Sequence, residues 1–216
     1  RPIIFLEGGG PFCKACENVY HTPSDPPGYM DPELVRDNSS YVVYYYVVGI
    51  ANGLKRLSWN TGPEYTNWGA TWGDLDLLDI NRQQKPSYYT YRFLSHLLSN
   101  TDADSIVRVA SQNDLSLYHY RISPRGTEVL WSTMPSDTFT LRGAGTVRRS
   151  HIPTVMGDSI VITDTVDVVD SLKVALADGV PVFLDGTTSV SMTSAWNKAS
   201  LPVSMNDTRT TTLFPT

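Results

Sequence analysis

The chain is predicted to be α/β in its first part and all-β in its second. Three observations carry that expectation. Residues 1–100 run strand, loop, helix, strand, loop, helix. In that segment both strand-to-helix loops are long and the helix-to-strand connection is tight, an asymmetry typical of α/β barrels, whose active sites sit on the loops after the strands. Beyond Asn100 the pattern changes to short alternating strands with turn signals about every 8–12 residues, as in an antiparallel sandwich or barrel. The division places residues 1–100 in one unit and 101–216 in a second.

The elements follow in order. Pro2-Ile3-Ile4-Phe5-Leu6 is a continuously apolar run, as expected of a parallel strand buried on both faces. It stops at Glu7 and three glycines, and a Pro- and Gly-rich loop follows. Asp31 suits a helix N-cap, Pro32 the first turn and Glu33 the positive end of the helix dipole. The helix is expected to run to Ala51, with Asn52-Gly53 as its stop. Its centre, Tyr41 to Tyr46, is β-branched and aromatic and could be argued as a strand, but the two caps and the segment length favour a helix. Leu54 to Trp59 reads as the next strand, and Lys85-Pro86 opens a helix to about Leu98 with Tyr89, Phe93 and Leu97 on one face. Strands are then expected at 106–109, 115–122, 127–132, 159–163, 168–176 and 180–184, with a turn at Asp178-Gly179. The Thr- and Ser-rich stretch from Ser189 onward is a final strand or a tail.

Composition excludes several classes of function. Of 216 residues, 41% are hydrophobic and 18% charged, which is a foldable composition. The net charge of −5 and the single basic pair Arg148-Arg149 argue against a nucleic-acid partner, which needs a basic footprint. The longest apolar run, Tyr41 to Ala51, is shorter than the roughly 20 residues that span a bilayer, so no membrane partner is expected. The 12 Tyr and 5 Trp suit half-wet clefts as well as ordinary interfaces. Cys13 and Cys16 form one C-x-x-C without the further ligands a zinc site requires, so they read as a loop disulfide or two free thiols. Asp74, Asp76 and Asp79 lack the Gly and Glu of a calcium loop and read as polar loop residues, and His21 is a lone loop histidine. No metal and no cofactor is expected. Asn38 and Asn206 open Asn-x-Ser/Thr sequons. The chain opens directly on a core strand, which suggests more chain upstream.

With these residues in hand a family resemblance emerges. The stretch SYVVYYYVVGIANGLKRLSWN (40–60) resembles the seventh helix and eighth strand of retaining (β/α)8-barrel glycoside hydrolases. KPSYYTYRFLSHLL (85–98) looks like their last barrel helix, and PIIFLEGGG (2–10) falls where they place the seventh strand with a Glu at its tip. DSLKVALADGVPVFLDG (170–186) is similar to the end of the β-sandwich that follows many such barrels. The resemblance rests on order and spacing rather than on any one motif. The Gly triplet after Glu7 and the Cys13/Cys16 loop depart from the pattern and leave the subfamily open.

The resemblance implies the last two βα units of a TIM barrel followed by an antiparallel β-sandwich. It also implies hydrolysis of an oligosaccharide or polysaccharide with Glu7 as nucleophile. The acid/base would lie on the missing N-terminal part of the same barrel, so this piece alone would be inactive. Secretion fits such an enzyme by analogy. Retaining glycosidases need two carboxyl groups about 5–5.5 Å apart, and a carboxylate on a strand end is held rigidly; otherwise Glu7 caps N–H groups of its Gly-rich turn. Trp59 is either a stacking floor for a sugar ring or a filler of the barrel mouth. Tyr65, Trp68 and Trp72 either line the cleft or anchor their loop. The alternative reading is a non-catalytic carbohydrate-binding or structural module.

Overall fold

The computed structural model describes residues 3–5, 31–59, 77–79, 81–99, 101, 103–109, 116–123, 125–159, 161–177, 179–186 and 193–194. A short strand β1 (Ile3–Phe5) precedes helix α1 (Pro32–Ala51), strand β2 (Leu54–Leu57) and helix α2 (Pro86–Leu97). A 3-10 turn at Ala103–Ser105 leads into β3 (Ile106–Arg108), β4 (Leu117–Ile122), β5 (Thr127–Ser132), β6 (Ser136–Arg142) and β7 (Gly145–His151). The remaining strands are β8 (Ile162–Val168), β9 (Ser171–Ala177), β10 (Val182–Gly186) and β11 (Thr193–Ser194).

Both helices begin for local reasons. Asp31 Oδ1 accepts from the backbone N–H of Glu33 (2.8 Å) and Leu34 (3.2 Å), satisfying two donors that a helix start leaves without intrahelical partners. α2 has Pro86 in its first turn and no side-chain cap. At the other end of α1, Asn52 and Gly53 turn the chain, with Gly53 at φ 87°.

The expected barrel fragment is not what the chain builds. Antiparallel sheet dominates the described residues, which contain only two α-helices. Parallel pairing is confined to β1 with β2, from Ile3↔Leu54 to Phe5↔Leu57. The larger sheet has six strands in the order β3-β4-β5-β10-β7-β8, and a second has three in the order β11-β6-β9. Both helices pack on the six-stranded antiparallel sheet instead of forming the outer ring of a parallel barrel: Tyr44 of α1 lies 4.8 Å from Trp131 of β5, and Phe93 of α2 lies 4.9 Å from Phe183 of β10, centroid to centroid.

The physical reason lies in the two faces of that sheet. In β4, Tyr118, Tyr120 and Ile122 point to the helices, while Leu117 points the other way with Leu130, Val182 and Leu184. A sheet with two apolar faces needs a cover on each. α1 and α2 supply one through Val42, Val43, Val47, Leu94 and Leu97. The three-stranded sheet supplies the other through Phe139, Leu141, Val174 and Leu176. The result is three layers, and the helix-side core runs across the position near residue 100 where the sequence changes character.

Two strands are not anticipated by the sequence reading. β6 and β7 carry Asp137, Arg142, Arg148 and Arg149 among their alternating residues, and these charges obscure the apolar period. β8 covers the break expected between 163 and 168, and the break lies instead at Val169-Asp170, where the chain passes to the other sheet and β9 overlaps the strand expected at 168–176.

Candidate functional site

The parallel pair β1 and β2 is the place to begin, because Glu7 follows the first strand by two residues and Trp59 follows the second by two. Phe5 stands opposite Leu57, so the carboxyl ends of both strands lie side by side. α1 crosses close to this pair. A Cβ built on Gly49 would lie 2.5 Å from Leu57 Cδ2, so glycine is what permits the approach.

Trp59 is 5% exposed. Its ring stands 6.1 Å from Tyr41 and 5.5 Å from Tyr45, the latter edge-to-face. The Tyr45 hydroxyl donates to the Ser58 carbonyl at 3.0 Å, fixing the segment that presents Trp59. In this arrangement the indole is held by rings of α1. Burial raises the Tyr41 and Tyr45 hydroxyls above their ordinary pKa, with the neighbouring Tyr41 adding to the effect on Tyr45.

The other expected site residues are not brought together by anything described. Glu7, Tyr65, Trp68 and Trp72 lie outside the described residues, as do Cys13, Cys16, His21, Asp74, Asp76 and Asn206. Asp79 is described and holds a turn: its Oδ1 accepts from the N–H of Asn81 (2.9 Å) and Gln83 (2.6 Å), beside Arg82 at φ 62°. Among the described residues no group of three His, Cys, Asp or Glu is positioned to hold a metal, and no helix is long and apolar enough to cross a membrane.

The described residues contain two polar constellations that the sequence does not announce. The first is inside the sandwich. Glu128 of β5 is 1% exposed, and its Oε2 lies 2.6 Å from His119 Nε2 while its Oε1 accepts from Arg121 Nε at 2.6 Å. Arg121 and Glu128 are cross-strand partners, and His119 lies two residues along the same face of β4. The Phe139 ring of the second sheet packs edge-on against His119, 5.2 Å away. With both carboxylate oxygens occupied, this group is organised as a buried polar network centred on Glu128.

The second constellation ties the layers. Ser39 Oγ of α1 donates to the Pro153 carbonyl at 2.6 Å. Ser39 has one hydroxyl proton, so Thr90 of α2, 2.6 Å from the same oxygen, is the donor in that second bond. Tyr44 of α1 donates to the Gly179 carbonyl in the β9–β10 turn. Burial pushes the Tyr44 phenol well above its ordinary range, with the Asp37 charge acting in the same direction. Periodicity places Ser39 and Thr90 on their helices, but nothing in it signals that a hydroxyl rather than a methyl should face the core.

No protein-family model matches the chain, and no curated protein matches it.

Proposed function

We propose that the chain is part of a protein that cleaves glycosidic bonds of an oligosaccharide or polysaccharide with retention, and that Glu7 is its nucleophile. The support is the parallel pairing of β1 with β2. Their carboxyl ends are adjacent, and in the sequence Glu7 follows the first strand while Tyr65, Trp68 and Trp72 follow the second. A carboxylate and aromatic rings are the groups that a retaining glycosidase uses: the rings stack on sugar C–H faces while the carboxylate attacks the anomeric carbon and forms a covalent glycosyl ester. That chemistry requires a second carboxyl group about 5–5.5 Å from the first, to protonate the leaving oxygen and then to activate water. We assign that role to no residue of this chain.

The test is covalent trapping. Incubation of the whole protein with activated 2-fluoro glycosides, followed by peptide mass analysis, is expected to show a sugar adduct on the peptide carrying Glu7. Glu7→Gln should lose hydrolysis by at least about 10³-fold while retaining sugar binding. An adduct on another residue, or near-normal hydrolysis by Glu7→Gln, overturns the assignment. Sugar binding with no turnover in the unmodified protein would establish the non-catalytic alternative.

A further inference from the structure

The six-stranded sheet ends in β8, which pairs with β7 from Gly145↔Val168 to His151↔Ile162 and has no strand on its other side among the described residues. An edge strand offers a row of backbone N–H and C=O groups to any extended chain of suitable side chains. β8 is seven residues long and rich in β-branched side chains, so it has the length and shape to serve as a template. Its side chains are also unusually open. Val168 is buried in the sandwich, but Ile162 on the same face is 66% exposed, because the three-stranded sheet does not extend over that end. Val155 and Met156, in the connection just before β8, are exposed as well, and so is Val169 just after it, at 88%.

The charge at this edge has one sign. Between Ser150 and Leu172 the chain contains Asp158, Asp164, Asp167 and Asp170 and no Lys or Arg. Asp164 is neutralised from β7 by Arg149, at 2.6 and 3.1 Å, which holds the Asp164 carboxyl below the usual range. Arg148, the other cation of β7, is paired with Asp185 of β10 at 3.3 Å. Asp167 accepts from Thr146 Oγ1, a neutral donor, at 2.9 Å. Asp167 on the strand, Asp158 before it and Asp170 just after it are exposed.

We infer that the outer edge of β8, unpaired among the described residues, is a docking site for an extended, lysine- or arginine-bearing peptide segment of another protein, which adds as a strand next to β8. The backbone ladder supplies register, Ile162 and Val169 supply apolar contact at the two ends, and the aspartates select the sign of the partner. The same aspartates argue against a second copy of this chain, because self-pairing sets like charges against like.

The experiment uses the 216-residue chain and three synthetic peptides, read by fluorescence anisotropy at low and high salt. The first alternates Lys with Val and Thr. The second replaces each Lys by Glu. The third keeps every Lys but carries two prolines that prevent strand pairing. Only the first is expected to bind well, with the proline peptide at least tenfold weaker and affinity falling as salt rises. The Asp158→Lys, Asp167→Lys, Asp170→Lys variant should reverse the preference between the first two peptides. Thr165→Pro is expected to weaken binding of the first peptide at least tenfold, and thermal melting of both variants checks that the fold is retained. Equal binding of the proline peptide, indifference to the charge reversal, absence of binding by the first peptide, or sedimentation showing self-association that Thr165→Pro removes would each overturn the inference.

Discussion

The two faces of the six-stranded sheet are solved in different chemistry. The helix face is aromatic. Trp131 is stacked between Tyr118, at 5.1 Å and 4°, and Tyr120, at 5.4 Å and 14°, with Tyr44 of α1 closing over it. The sandwich face is aliphatic, built from Leu117, Leu130, Val147, Val182 and Leu184 and covered by Val174 and Leu176 of the three-stranded sheet, and it contains the His119–Glu128–Arg121 network. Aromatic rings with polar tips can reach across layers to a carbonyl, as Tyr44 does to Gly179. Aliphatic side chains have no such reach, so on that face the polar bonds are short-range: His119, Arg121 and Glu128 meet within neighbouring strands, and Ser132 Oγ donates across to Asp137 Oδ2 of β6 at 2.9 Å. One sheet is thus specified from both sides at once, by aromatic rings with far-reaching hydroxyls on one face and by an aliphatic layer around a buried ion network on the other.

The largest expected effect comes from breaking the aromatic side. Trp131→Ala removes the ring on which three tyrosines converge and should cost about 3–5 kcal/mol, measured by denaturant unfolding. It is also expected to loosen α1, seen as faster amide exchange in Pro32–Ala51. On the sandwich side, Glu128→Ala leaves His119 buried without its carboxylate and should cost roughly 3 kcal/mol, the low end for a broken buried pair, because Arg121 is part-exposed and can turn to water. Replacing His119 and Glu128 together by apolar residues should recover most of that loss; a double variant as unstable as the single one would show that the network also sets strand register.

Smaller effects follow from the ties between layers. Ser39→Ala leaves the Thr90 hydroxyl and the Pro153 carbonyl without their shared partner and should cost about 1–3 kcal/mol. Tyr44→Phe removes one interlayer hydrogen bond and should cost about 1 kcal/mol. It should also reduce the alkaline sensitivity of the protein. A buried phenol whose pKa is raised on folding stabilises the fold below the ordinary tyrosine range and loses that contribution as pH rises through the folded value.

The smallest effect sits at the end of β7. Burial, and then the charge of Arg149, hold His151 below the ordinary imidazole pKa, while Asp164 acts in the opposite sense. On acidification the unfolded chain takes up this proton first. The contribution is therefore present above the ordinary imidazole range and is lost as pH falls through the lower, folded value. His151→Asn should flatten the dependence of Tm on pH between about 7 and 5.

How much of this was legible in the sequence differs by element. Both helices were, because Asp31, Pro32, Asn52, Gly53 and Pro86 act through bonds to their own neighbours in the chain. β5 and the turn at Gly179 were legible from local signals too: Val129, Leu130 and Trp131 suit a strand, and Gly179 stands at φ 73°. The way the layers stack was not. Strand-loop-helix order is compatible with a barrel and with helices laid on an antiparallel sheet, and only contacts distant in sequence, such as Tyr44 on Trp131, decide between them. The ion network was hidden too, since alternation places His119 and Glu128 on a face without stating that they meet.

Asn38 carries one more consequence. Asn38, Ser39 and Ser40 form a complete acceptor tripeptide, yet all three are buried between α1 and its neighbours. In a compartment that attaches glycans, modification and folding would be rivals for the same side chain. A sugar added before α1 docks would wedge the helix off its sheet, and a helix docked first would close the site. The fraction of molecules glycosylated at Asn38 would then act as a clock, recording how quickly the helix finds its place.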